Sequence, residues 1–168
     1  MKIVVGSVVK GFKLKEAIKI LLQARGHTVI DVGCSDTAQF CKFPSVGQRI
    51  ALALTSGEAE LAVNCCGSGT GACISAGKFK GVCAVNCESE KTARLARVVN
   101  DANCLCMGED VVTQELACRM AEAFVDARFQ DAPAAPEPVR AFWRAARDEL
   151  MARGADATGR NLEFLKMP

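Results

Sequence analysis

Residues 60–78 read ELAVNCCGSGTGACISAGK. An apolar run closes on two adjacent cysteines, glycines follow at 67, 69 and 71, and Gly71 to Lys78 has the composition of a short helix. Strand, glycine loop and helix in that order place the loop at the carboxyl end of a strand, where open α/β sheets bind ligands. Two readings of the loop stay open at this point: an anion cradle with a base at its lip, or a tight turn after a buried strand.

Outward from this stretch the same alternation repeats. Toward the amino terminus, Lys2 to Gly6 is a β-branched run and Gly11 to Arg25 carries apolar residues at 12, 14, 17, 18, 21 and 22 with lysines between them. These are a strand and an amphipathic helix. Gly26 ends the helix, Thr28 to Val32 is a second strand, and Pro44 opens a helix to about Ser56. Toward the carboxyl terminus the pattern predicts a strand over Gly81 to Asn86, a helix over Glu90 to Val98, a strand over Asn103 to Met107 and a helix over Thr113 to Phe129. Such alternation implies an α/β, Rossmann-like three-layer fold: a five-stranded parallel sheet covered on both faces, with right-handed crossovers. Residues 1–130 form this domain, and 131–138 (DAPAAPEP) read as a proline-rich linker. Residues 139–168 supply an extra C-terminal helix and tail, and the helix from Val139 to Arg153 carries Phe142 and Trp143. It is expected to dock on a partner subunit.

The 168 residues suit one domain plus an appendage. Basic residues number 21 and acidic ones 19, spread along the chain, so no block of charge suits a nucleic acid. No run approaches the roughly 18 apolar residues of a membrane span, and a cytoplasmic protein is expected. The ten cysteines read as reduced thiols, several of them inside apolar runs where they act as small hydrophobes. With His27 as the one histidine, no metal site is expected. A redox role through Cys65, Cys66 or Cys87 has the cysteine count behind it.

Cys66 adds chemistry to the loop. A thiol at a strand end, beside a nest of amides and a helix N-terminus, is placed to act as base or nucleophile. Strand alternation sends Cys65 to the opposite face and into the core.

The chain resembles the type B ribose-5-phosphate isomerases and the galactose-6-phosphate isomerase subunits. The matching stretches are MKIVVGSVVKGFKLK at 1–15, VIDVG at 29–33, the Phe43-Pro44 pair with the helix after it, SGEAEL at 56–61, CGSGTG at 66–71 and NDANCLCMGEDVV at 100–112. The resemblance implies a homodimer or homotetramer, or a mixed oligomer with a paralogous subunit. It also implies interconversion of aldose and ketose phosphates through an enediolate, without metal or organic cofactor. On it, Cys66 is the proton-transfer base, Ser68 and the amides of Gly67, Gly69, Thr70 and Gly71 stabilise the enediolate, and Asn100 contacts the sugar.

Departures accompany the matches. The family's Asp-His pair after the first strand is Val8-Val9 here, its ring-opening histidine is Val99, and its aspartate before the aromatic-Pro pair is Lys42. Gly77 stands for an asparagine, Cys83 for an arginine, and the linker for an arginine-rich phosphate cluster. Lys10, Lys42, Arg140 and Arg144 are the candidates for a substitute phosphate site, and equally read as solvated surface charges. An isomerase working through Cys66 and a non-catalytic member of the family, or partner subunit of a mixed oligomer, both fit this pattern.

Overall fold

The structure is a computed structural model that describes residues 1–38 and 40–153. Its strands are β1 (Lys2–Ser7), β2 (Thr28–Asp31), β3 (Leu61–Cys66), β4 (Ala84–Asn86) and β5 (Cys104–Gly108). Its helices are α1 (Phe12–Ala24), α2 (Phe43–Thr55), α3 (Thr70–Ala76), α4 (Glu90–Asn100), α5 (Gln114–Asp126) and α6 (Glu137–Ala152). All strand pairs are parallel, in the order β2-β1-β3-β5-β4.

Apolar runs without alternation form these strands because both faces of the sheet are covered. Ile3, Val5, Leu61, Val63, Cys65, Leu105 and Met107 join the core under α1, α4 and α5, around Leu14, Ile18, Met120 and Phe124. Val4, Ala62, Cys66, Cys104 and Cys106 point the other way, into the core with Val46 and Ile50 of α2 and Ala72 and Ala76 of α3. Thus α1 leaves β1 on one face and α3 leaves the adjacent β3 on the other. The crevice between the carboxyl ends of β1 and β3 is the topological switch point of the sheet.

Most element bounds differ from the sequence expectation by one to three residues, and three of these differences have a cause in the structure. β3 runs to Cys66, one residue past the Glu60 to Cys65 stretch that the sequence pattern gives as strand, because Cys66 pairs with Gly108 of β5. β4 starts three residues late: Gly81 has a φ of 87°, Val82 N closes a turn on Phe79 O at 3.1 Å, and the Asn103 side chain bonds Cys83 N and Gly81 O, both at 2.8 Å. These bonds replace the sheet ladder there. The expected linker is shorter, since α6 begins at Glu137 and holds Pro138 in its first turn, where a missing N–H costs nothing. Residues 131–136 fold into turns instead of an extended spacer.

α6 rests on its own domain at the amino ends of the strands. Arg147 reaches Asp101 at 2.7 Å and lies over the Phe129 ring at 4.8 Å, and Arg144 donates to Gln130 Oε1 at 3.0 Å. None of its residues is buried; Trp143 is half-buried, while Phe142 and Leu150 are exposed. The tail of the expected 139–168 segment, from 154 onward, lies outside the described residues.

Candidate active site

Two loops meet at the switch point. The second, 66–71, is shaped by its glycines. Gly69 has a φ of 82°, and a Cβ there would run into the Asn86 side chain. Gly108, at the end of β5, lets the Gly67-Ser68 backbone lie directly on it. This close fit turns the loop back so that Gly69 N donates to Cys66 Sγ at 3.1 Å. Ser68 and Thr70 share a hydroxyl contact of 2.6 Å beside the thiol. The first amides of α3 have no acceptor within the helix, which leaves those of Thr70 and Gly71 able to donate toward the cleft.

The first loop, 8–13, is held by charge. Glu109, directly after β5, accepts from Gly11 N at 2.9 Å and Lys13 N at 3.2 Å with one carboxylate oxygen. Lys10 pairs with Asp110 at 2.8 Å, which raises the Lys10 pKa chiefly through that hydrogen bond. Deeper in, the fully buried ammonium of Lys15 binds Asp31 and the Cys34 carbonyl, both at 2.7 Å, and Glu16 at 2.9 Å. Burial alone would raise the Asp31 pKa, but Lys15, Lys19 and the Gly33 amide outweigh it and hold the carboxyl below its ordinary value.

Between the loops opens a cavity of about 620 Å³ lined by Val8, Phe40, Cys41, Lys42, Phe43, Pro44 and the residues Cys66, Gly67, Ser68, Thr70 and Gly71. One wall is apolar, and the other carries the thiol, hydroxyls and amides. Lys42 precedes the first turn of α2. A carbon acid bound here would face Cys66 as proton acceptor, while the amides and Ser68 donate to the oxygen that gains charge.

The structure brings together Cys66, Ser68, Gly67, Gly69, Thr70, Gly71 and Lys42, and puts Lys10 at the rim in its pair with Asp110. It does not bring Asn100, Arg140 or Arg144 to them within one chain. Asn100 ends α4, next to the amino end of β5, and Arg140 and Arg144 sit on α6 nearby, bound to Glu137 and Gln130. A six-residue strand of roughly 20 Å separates the two ends.

Cys65 is buried on the opposite face, and that burial pushes its thiol pKa far up. The ten cysteines are all free thiols. Cys87 is also raised by burial, whereas Cys73 is lowered to about 7 by the Cys106 thiol and the Asn86 amide, against the effect of its own burial. Glu109, Asp110, Phe43 and Asn86 are the residues that sequence reasoning missed as parts of the site. The acidic pair after the fifth strand was a usable signal only with the strand order in hand, because β5 adjoins β3.

The family model described as ribose/galactose isomerase matches residues 3–137. The chain is 40% identical over 131 residues to a 4-deoxy-4-sulfo-D-erythrose isomerase of Clostridium sp. strain MSTE9, covering 78% of this chain and 82% of that one. It is 38% identical over 120 residues to ribose-5-phosphate isomerase B of Escherichia coli strain K12, covering 71% and 80%. The solved structure of Clostridium thermocellum ribose-5-phosphate isomerase B superposes with a TM-score of 0.78 at 34% identity, over 89% of this chain and 97% of that one.

Proposed function

The chain belongs to the ribose/galactose isomerase family, and from that premise we propose that it interconverts an aldose and a ketose bearing a terminal anion, with Cys66 as the base. The reaction moves one carbon-bound proton from C2 to C1 and one oxygen-bound proton from O2 to O1. No electrons are exchanged with the surroundings. Cys66 takes the C2 proton, the amides of Gly67, Thr70 and Gly71 receive the enediolate oxygen, and Cys66 returns the proton at C1. The paired hydroxyls of Ser68 and Thr70 carry the oxygen-bound proton. The observation that carries the reading is the Cys66 thiol held against the Gly69 amide at the mouth of the cavity.

Solvent-deuterium exchange at C1 of a ketose phosphate, followed by NMR, tests it. Cys66→Ala is expected to lower exchange by roughly a thousandfold, within the range of a positioned general base, with unchanged melting temperature. Exchange that survives the substitution undiminished removes Cys66 from the role.

The reading extends to assembly. The exposed Phe142 and Leu150 of α6 support a contact with a second copy of the chain, which would bring Asn100, Arg140 and Arg144 to the cleft of that copy. Sedimentation of the Phe142→Asp, Leu150→Asp double variant is expected to report half the mass of the parent. An unchanged mass removes α6 from the contact.

A further inference from the structure

The apolar wall of the cleft says which form of sugar it takes. This step rests on the isomerase reading above. A cyclic hemiacetal opens only if one group removes the anomeric proton while another protonates the ring oxygen, and both are needed besides the base that moves the carbon-bound proton. The groups lining the cleft that exchange protons are Cys66, Cys41, Lys42 and the hydroxyls of Ser68 and Thr70. Where the chain leaves β1 toward the cleft it presents Val8, which neither gives nor takes a proton. The carboxylates of Glu109 and Asp110, which contact the loops, are already engaged: Glu109 by the amides of Gly11 and Lys13, and Asp110 by Lys10 on the Gly67 side of the loop. The single histidine, His27, lies just before β2 at the amino end of the sheet, and a second copy of the chain brings no other.

Open-chain aldoses are set by their own chemistry. An aldose closes when O4 or O5 attacks C1. A five-carbon sugar with the anion on C5 keeps O4 free and closes to a five-membered ring. A four-carbon sugar with the anion on C4 has only O2 and O3 left, and these give strained three- and four-membered rings. Its aldose and its 2-ketose are therefore both open chains, and the same holds whether C4 carries a phosphate ester or a sulfonate in place of O4. Lys42, which makes no ion pair among the described residues while Lys10 is spent on Asp110, is the cation in the lining for that anion.

We propose that the cleft takes a four-carbon sugar, in its open-chain form and anionic at C4, and isomerises it without any ring-opening step. The apolar wall then fits the substrate instead of marking a decayed site.

The experiment measures initial rates against rising enzyme concentration. The substrates are erythrose 4-phosphate, 4-deoxy-4-sulfo-erythrose, ribose 5-phosphate and the open-chain ketose ribulose 5-phosphate, with NMR detection of exchange and product. The four-carbon rates are expected to rise in proportion to enzyme. The ribose 5-phosphate rate is expected to flatten at the speed of its spontaneous ring opening. Since only the open fraction binds, its apparent kcat/KM should fall below the four-carbon value by at least about a hundredfold. The faster of the two four-carbon compounds identifies the anion as phosphate or sulfonate. Ribose 5-phosphate consumed faster than it opens in buffer, in proportion to enzyme, overturns the open-chain inference and leaves the isomerase reading standing. Inert four-carbon compounds beside an active ribulose 5-phosphate overturn the four-carbon assignment alone. No exchange on any of the four removes the isomerase reading, and this inference with it.

Discussion

The two loops at the switch point are built in opposite ways. Loop 66–71 shows polar groups to the cleft and is held by glycine contacts, with Gly69 against Asn86 and Gly108 under Ser68. Loop 8–13 shows Val8 to the cleft and is held by charge, through Glu109, the Lys10–Asp110 pair and the Lys15–Asp31 pair behind it. A chain can lose the polar chemistry of one loop and keep that of the other because the groups that hold each loop differ from the groups that face the substrate. The half with the thiol, hydroxyls and amides shows polar groups to the cleft, and the half facing it is an apolar wall.

The sharpest way to break this contrast is at Gly69. An alanine there must adopt a φ near 82° and push its Cβ into Asn86, whose side-chain oxygen is buried without a donor among the described residues. Strain of this kind costs about 1–3 kcal/mol, and the overlap adds to it. Gly69→Ala is expected to lower unfolding free energy by roughly 3 kcal/mol in urea titration and to abolish turnover. A variant as stable and active as the parent means the loop is held some other way.

The charged loop should respond to acid where the glycine loop does not. The pKa values of Asp31 and Glu16 both lie below their ordinary values of 3.8 and 4.5 in the folded protein. Depressed carboxyls add stability that is fully present above the unfolded values and is lost as pH falls through the folded ones. Unfolding free energy should therefore drop below about pH 4. Asp31→Asn should remove about 1–2 kcal/mol at pH 7 and flatten that acid limb, because Glu16 still partners the buried Lys15. An acid limb of the same depth in the variant assigns the loss to other carboxylates.

A smaller effect is expected at Glu109. Glu109→Gln keeps an oxygen that can accept from both amides but loses the charge that strengthens those bonds, for about 1 kcal/mol. Because Glu109 touches the first loop and not the cleft lining, KM should rise with kcat nearly unchanged. A fall in kcat alone places Glu109 in the chemistry.

The layers of the fold were legible because β-branched runs, amphipathic spacing and stop residues are local signals. Cys65 and Cys66 could be assigned to opposite faces for the same reason, since strand alternation needs no partner. What stayed hidden depends on neighbours. That β5 lies beside β3 is written in no single window of sequence, so the roles of Glu109 and Asp110 emerge only with the sheet assembled. The late start of β4 turns on Asn103, a residue some twenty positions away whose side chain takes the place of a ladder partner. Asn100, Arg140 and Arg144 lie toward the other end of the strands within one chain, so whether a second copy brings them to a cleft is a matter of assembly that no linear window carries.

The mildest test reads thiol chemistry and needs no substitution. Cys66 adjoins the cleft and the Gly69 amide, whereas Cys65 is sealed under the other face with its pKa raised by burial, so alkylation at neutral pH should leave Cys65 unmodified. A sugar-phosphate ligand should slow labelling at Cys66 and at Cys41, which also lines the cleft, and leave the thiols outside the cleft unaffected. Cys73 supplies the internal standard. It stands on α3 clear of the cleft lining, half-buried, and its sulfur accepts from the Cys106 thiol and the Asn86 amide, which lowers its pKa to about 7. Cys106, fully buried against Cys104 and Cys73, is pushed the other way and keeps its proton. The rate of Cys73 alkylation should thus reach half its maximum near pH 7 and saturate above it, while a ligand in the cleft leaves that curve in place. Peptide mapping by mass spectrometry reads all of these sites in one sample. Protection of Cys73 along with Cys66 would mean that α3 moves as a body when the cleft fills, and that the glycine loop is not the fixed member of the pair. Labelling of Cys65 ahead of Cys66 would reverse the assignment of the two faces, and with it the contrast between a chemical loop and a wall.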